Sequence, residues 1–327
     1  MKKFDYRKVD KELRFIAKFV NFFLGSSYTK RKFVVRDKLT TLLFKGFKRS
    51  KFVNYKQIFL SREDGSRLRV CVYEPKHRTG TAPAGVLWLH GGGYSMGEPE
   101  QDISFIEEFV KQGCVVFAPA YTKSIKNPYP AALNDCYLTL KWLVNSADKF
   151  DFDSSKVFVG GESAGGGLTV ATTLLARDKA EVEIAFQLPI YPMIDAGKTP
   201  SSTNNFAPVW NSSSNALAWK VYLGDDNYVP ENISKYASPA NETDYSNLPP
   251  TFTYVGDIEP FKDETIIYVE NLKKYGVPVH FKIFHGCFHG FDIVGKNTKI
   301  GKEARKFFKQ GIEFALKNYS KPQKMQK

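Results

Sequence analysis

Short apolar runs along the 327-residue chain alternate with stretches whose apolar residues fall every three or four positions. Six of the runs, at about 85–90, 114–119, 157–160, 182–191, 251–255 and 279–284, read as strands. Most are apolar throughout, the pattern of strands covered on both faces of a parallel sheet. Helical spacing predicts helices at about 102–111, 131–146, 215–223, 261–275 and 301–319, and Leu168, Ala171, Leu174 and Leu175 mark another after the third run. Strands and helices in alternation predict one large α/β domain whose mostly parallel central sheet is flanked by helices. Residues 56–72 differ, because two alternating segments flank Ser61-Arg-Glu-Asp-Gly-Ser66 and predict a hairpin at the sheet edge. A Ser-, Asn- and Pro-rich stretch at 196–214 predicts an insertion above the strand ends.

The run at 157–160 breaks into Gly161-Glu-Ser-Ala-Gly-Gly-Gly167 before its helix, so Ser163 falls at a strand-to-helix junction bracketed by Gly161 and Gly165. Glycine and serine cluster in ordinary turns, and this spacing alone does not separate a turn from a nucleophile. It does suit a nucleophile: a sharp turn lifts the hydroxyl above the sheet, and neighbours without Cβ atoms let strand and helix pass closely. The N–H of Ala164, at the helix start, can face an anion. Upstream, the strand at 85–90 runs from Gly85 to His90 and into Gly91-Gly92-Gly93-Tyr94, the H-G-G-G type of sequence that lends amides to an oxyanion hole. Both motifs point to Ser163 as nucleophile, with the amides of Gly91, Gly92 and Ala164 around the oxyanion.

A serine needs a base, and the base an orienting acid. Of the five histidines, His289 in Phe288-His289-Gly290-Phe291 has a loop of its own beyond the last strand, and His285, abutting that strand, is its rival. His77 reads as a turn residue, His280 as a strand-surface one and His90 as a brace for the glycine loop. The acid belongs between serine and base. Asp257, Glu259 and Asp263 all follow the strand at 251–255, although Asp257 and Asp263 also suit a turn and a helix start.

The net charge of +13 changes this picture less than its sum suggests. Of 47 Lys and Arg, 17 lie in residues 1–56 with only 4 of the 34 Asp and Glu, which leaves 30 of each in a neutral body. No nucleic-acid motif accompanies the charge, so nucleic acid is not an expected partner. Val9, Leu13, Ile16, Val20 and Phe23 follow amphipathic helical spacing, Gly25 reads as its stop, and Lys8, Lys11, Arg14 and Lys18 project opposite, with Phe15 and Phe22 among them. A single apolar stripe favours packing over the active site, with a helix in a membrane surface as the alternative that the basic, aromatic stretch at 30–51 sustains. Cys71, Cys114, Cys136 and Cys287 form no C-x-x-C pair, which implies reduced thiols, a cytoplasmic protein and no metal site. Cys287 lies near the candidate base and reads first as a small buried hydrophobe.

Taken together, His90-Gly-Gly-Gly-Tyr94, Tyr129-Pro-Ala-Ala-Leu-Asn-Asp135, Gly161-Glu-Ser-Ala-Gly-Gly166, Leu248-Pro-Pro250, Glu259-Pro-Phe-Lys-Asp-Glu264 and His289-Gly-Phe291 resemble the hormone-sensitive-lipase-like branch of α/β-hydrolase esterases, the bacterial family IV. The resemblance implies the α/β-hydrolase fold, with a helical cap built from residues 1–50 and an insertion at 196–235 over a core of 51–195 and 236–319, and a basic tail at 320–327. It also implies a Ser163, His289, Glu259 triad acting without a cofactor on short- to medium-chain acyl esters, and a homodimer paired through the edge strand near the C-terminus. Glu259 stands where the family usually has Asp, with Asp257 in reserve, and Glu162 is a second such exchange. Tyr121-Thr-Lys-Ser-Ile125 departs from the usual Tyr-Arg-Leu-Ala-Pro. Tyr94, Phe206, Trp210 and Trp219 are candidates for an apolar pocket wall. Two other functions stand beside the soluble esterase: a membrane-surface lipase led by residues 1–50, and a silent ligand-binding member of the fold.

Overall fold

The apolar runs become neighbouring strands of one sheet. The computed structural model describes residues 4–24, 29–47, 50–78, 80, 82–225 and 228–324, so Gly25, the expected helix stop, lies outside the described residues. The strands are β1 (Val53–Ser61), β2 (Arg67–Pro75), β3 (Gly85–Leu89), β4 (Val115–Pro119), β5 (Val157–Glu162), β6 (Phe186–Ile190), β7 (Thr251–Gly256) and β8 (Val279–Phe284). Their spatial order is β1-β2-β4-β3-β5-β6-β7-β8. The expected hairpin β1–β2 forms the antiparallel edge, and β2 joins the rest antiparallel to β4. From β4 through β8 every pairing is parallel.

Parallel strands are joined by crossover helices that cover the faces, which is why β3 to β7 are buried along their length. The period-two alternation of side chains separates two cores. Leu87, Leu89, Val157 and Val159 face one side, with Leu133 and Leu140 of α4 (Ala131–Asn145) and Leu168 of α6 (Ala164–Lys179). Val86, Trp88 and Phe158 face the other, where Trp88 packs 5.2 Å from Phe105 and 5.7 Å from Phe109 of α3 (Ile103–Lys111) and 5.9 Å from Phe308 of α10 (Lys299–Asn318). The remaining helices are α1 (Arg14–Leu24), α2 (Lys30–Phe44), α5 (Ala147–Phe150), α7 (Ser212–Leu223), α8 (Lys262–Lys274) and α9 (Phe291–Val294).

The N-terminal segment is fastened by charge as well as packing. Arg69 of β2 bonds Glu98 and Glu100, each at 2.6 Å, with all three side chains buried. The same carboxylates reach α2 and the turn after it, because Thr41 donates to Glu98 at 2.8 Å and the Gly46 amide to Glu100 at 2.8 Å. Lys123 adds a bridge to Asp37 at 2.6 Å. Burial alone would raise the Glu100 carboxyl, but the Arg69 hydrogen bond and charge hold it at about 2. Because that lies below its ordinary 4.5, the pair's stabilisation is complete above the ordinary value and is lost as pH falls through about 2. Arg69→Leu is expected to lower stability by about 3–5 kcal/mol, since Glu98 keeps Lys123 but Glu100 is left without a cation among the described residues. Urea unfolding at neutral pH measures the loss.

Candidate active site

Ser163 occupies a backbone conformation that few non-glycine residues adopt. Its φ of 58° and ψ of −121° turn the chain from β5 directly into α6. The turn is held from both sides: the Ser163 amide donates to Ile190 O at 2.9 Å, and the Met193 amide donates to Ser163 O at 3.0 Å. The flanking glycines are steric requirements. A Cβ on Gly165 would lie 1.9 Å from Leu89 O, and one on Gly161 would lie 2.4 Å from the same atom.

Ser163, His289 and Glu259 meet, although they sit on the β5–α6 turn, the loop after β8 and the loop after β7. His289 Nε2 lies 2.9 Å from Ser163 Oγ, and Nδ1 lies 2.5 Å from Glu259 Oε2. The other Glu259 oxygen accepts the Gly256 amide at 2.9 Å, so a wholly buried carboxyl has both oxygens engaged. Burial pushes the Glu259 carboxyl above its ordinary value, opposed by the charge and hydrogen bond of His289. Tyr191 and Phe261 meet the imidazole edge-on at 4.9 and 5.0 Å and fix its plane.

The competing residues form a separate pair. His285 is exposed, with Nδ1 3.0 Å from Asp257, whose second oxygen accepts the Gly286 amide at 2.7 Å. Asp263 accepts the Ser201 amide at 2.7 Å and so ties the 196–214 stretch to α8. His90 braces the glycine loop as its position suggested: Nδ1 lies 2.8 Å from Gly91 O and the ring stacks on Tyr121 at 4.2 Å. Burial lowers its pKa to about 4, so it is neutral near pH 7. Cys287 is fully buried, and burial raises its thiol, which fits the reading as a small hydrophobe.

Gly91 differs from expectation. Its amide donates to Glu162 Oε1 at 2.7 Å and is turned away from an oxyanion. Burial, then the nearby carboxyls of Asp102 and Asp292, raise Glu162 well above its ordinary value, and a neutral carboxyl still accepts through its carbonyl oxygen. Gly92 and Gly93, with φ of 121° and 58°, line the space beside Ser163. Among the described residues the amides of Gly92, Gly93 and Ala164 donate to no protein acceptor. H-G-G-G alone does not show which of its amides are left without an acceptor, and here Gly93 joins Gly92 in that state.

A cavity of about 350 Å³ opens over Ser163 and His289, walled by Leu39 and Arg36 of α2, Met96, Val209, Trp210 and Ile293 of α9. Of the four aromatics expected there, only Trp210 lines it, stacked on Phe33 of α2 at 6.2 Å. Tyr94 and Trp219 are buried in the packing around Tyr222, and Phe206 is exposed outside the wall. The sequence places residues 1–50 over the site, but the apolar residues of α2 fall on two opposite sides and do not tell which one faces the cavity.

The model of the α/β hydrolase fold matches residues 86–293. An arylesterase of Saccharolobus solfataricus is 28% identical over 270 residues, which cover 81% of this chain and 86% of that one. Carboxylesterase NlhH of Mycobacterium tuberculosis is 31% identical over 214 residues, 63% of this chain and 66% of that one. Among solved structures, a bacterial heroin esterase superposes with a TM-score of 0.86 at 29% identity, covering 96% of this chain and 99% of that one. The chain belongs to the α/β-hydrolase fold family, in its hormone-sensitive-lipase-like branch.

Proposed function

We propose that this chain is a carboxylic ester hydrolase that works through an acyl-enzyme on Ser163. The observation that carries the reading is the line Ser163 Oγ, His289 and Glu259, at 2.9 and 2.5 Å, beside three amides that have no acceptor among the described residues. Ser163 Oγ attacks the ester carbonyl while His289 Nε2 takes its proton, and Glu259 holds the tautomer with the proton on Nδ1. The amides of Gly92, Gly93 and Ala164 receive the oxyanion, each strong donor contributing about 3–4 kcal/mol. The imidazolium returns its proton to the departing alkoxide; a water deprotonated by the same ring then attacks the acyl carbon, and the ring hands that proton to Ser163 Oγ as the acid leaves. Apart from the ester and that water, each step uses side chains and amides of this chain.

Residues 1–50 and 196–235 act as the cap, a division supported by Leu39 on one side of the cavity and Trp210 on the other. The four free, buried thiols support a cytoplasmic protein, and β8, at the sheet edge, is where a second copy would pair. Names of relatives such as ethyl acetate hydrolase of Pseudomonas putida support small esters as substrates. The cavity, about 350 Å³, is at the small end of ligand sites and points the same way. A p-nitrophenyl ester series from acetate to dodecanoate tests this. The highest kcat/KM is expected between acetate and hexanoate, and a maximum at dodecanoate, or no hydrolysis, would overturn the reading.

A further inference from the structure

The helix α1 and the turns that lead into it carry two apolar faces, and the protein covers one of them. Val9, Leu13 and Ala17 are buried, and Leu13 packs against Gly295, next to the Val294 that forms part of the cavity rim. At about 100° per residue, Phe15, Phe19, Phe22 and Phe23 lie on roughly the opposite side. Their exposures are 78, 55, 83 and 67%, and Phe19, Phe22 and Phe23 form a ladder with ring centroids 4.6 and 5.3 Å apart. On α2, Val35, Leu39 and Leu42 are also exposed, and Leu39 lines the mouth of the cavity. Soluble surfaces rarely carry a run of large apolar side chains as exposed as the four phenylalanines of α1.

Charge indicates what covers them. Lys18 of α1 and Lys11 just before it are exposed, and Lys30, Arg31 and Lys38 are exposed on α2. A second copy laid face to face would set this basic segment against itself, and like charges in contact oppose association. An apolar face rimmed by cations matches an anionic lipid surface. Among the described residues no helix is long and apolar enough to cross a membrane. The 11 residues of α1 span about 16 Å, roughly half a bilayer's hydrocarbon core.

We propose that the outer faces of α1 and α2 dock in the plane of an anionic membrane, which brings the mouth of the cavity to the lipid surface. Phe15, Phe19, Phe22 and Phe23 enter the headgroup boundary, the lysines and arginines meet the lipid phosphates, and Leu39 places the rim against the acyl layer. Docking does not depend on the hydrolase reading, so it is measured without turnover.

The test is co-sedimentation of the full chain with phosphatidylcholine vesicles and with vesicles containing one quarter phosphatidylglycerol. Binding to the anionic vesicles is expected, weakened by high salt, and reduced about tenfold or more in the variant Phe15→Ser, Phe19→Ser, Phe22→Ser, Phe23→Ser. Those side chains are exposed, so the variant is expected to keep the parent melting temperature. Lys11→Glu with Lys18→Glu, which leaves the apolar residues intact, is expected to weaken the preference for anionic vesicles. Equal sedimentation with and without vesicles, or unchanged binding by both variants, overturns the proposal. So does a fall in solution mass, by light scattering, confined to the phenylalanine variant, because a second copy would then be what covers the face.

Discussion

Ser163→Ala is expected to lower kcat/KM for p-nitrophenyl acetate by about 10⁴- to 10⁶-fold, the range seen when a serine nucleophile is removed. The variant is expected to fold, because the contacts that hold the turn are made by the backbone of Ser163 and by Gly161 and Gly165. Alanine also removes the hydroxyl without adding bulk to a buried site. The cavity wall does not depend on the serine oxygen, so substrate affinity should change far less than kcat. Steady-state kinetics at several ester concentrations, with circular dichroism as the fold control, separates these quantities. Turnover within a factor of ten of the parent would remove Ser163 from the chemistry.

The second large effect decides which carboxylate orients the base. Glu259→Gln is expected to lower kcat by about 10³- to 10⁴-fold, since an amide oxygen at that position no longer stabilises the imidazolium and an amide nitrogen favours the wrong tautomer. Asp257→Asn is expected to cost less than about tenfold, because Asp257 faces the exposed His285 and the Gly286 amide rather than His289. The extra methylene of glutamate is accommodated: Glu259 reaches Nδ1 at 2.5 Å while its other oxygen accepts the Gly256 amide. Kinetics of both variants across pH provide the comparison, and the reverse order would reassign the acid.

The sequence made the strand-to-helix serine and the late histidine legible for a physical reason. Gly161 and Gly165 are demanded by backbone atoms of Leu89, and a loop beyond the last parallel strand can return over β5 whatever the cap does. The strand at 279–284 matches β8 to the residue, while 182–191 shortens to Phe186–Ile190 because its first residues lead into the sheet as loop. What could not be read depended on side-chain reach or on exposure. The Gly91 amide is engaged only because Glu162 extends far enough to accept it. On α1 the expected inner stripe included Val20 and Phe23, yet Ala17 is buried and Phe23 is exposed. An apolar residue in a sequence does not announce whether protein or something else will cover it. On α2 the exposed Val35, Leu39 and Leu42 recur at helical spacing while the buried Phe33 lies on the opposite side, so the periodicity does not mark the covered face.

The central claim is that one serine is made nucleophilic by His289, and a covalent probe addresses it most directly. An alkyl fluorophosphonate forms a phosphorus–oxygen bond to an activated serine and expels fluoride, so peptide mass spectrometry locates the reactive hydroxyl. The expected result is a single adduct on the peptide bearing Ser163, formed rapidly by the parent and nearly absent in His289→Ala. An adduct on another serine, or equal labelling of Ser163 without the imidazole, would contradict it.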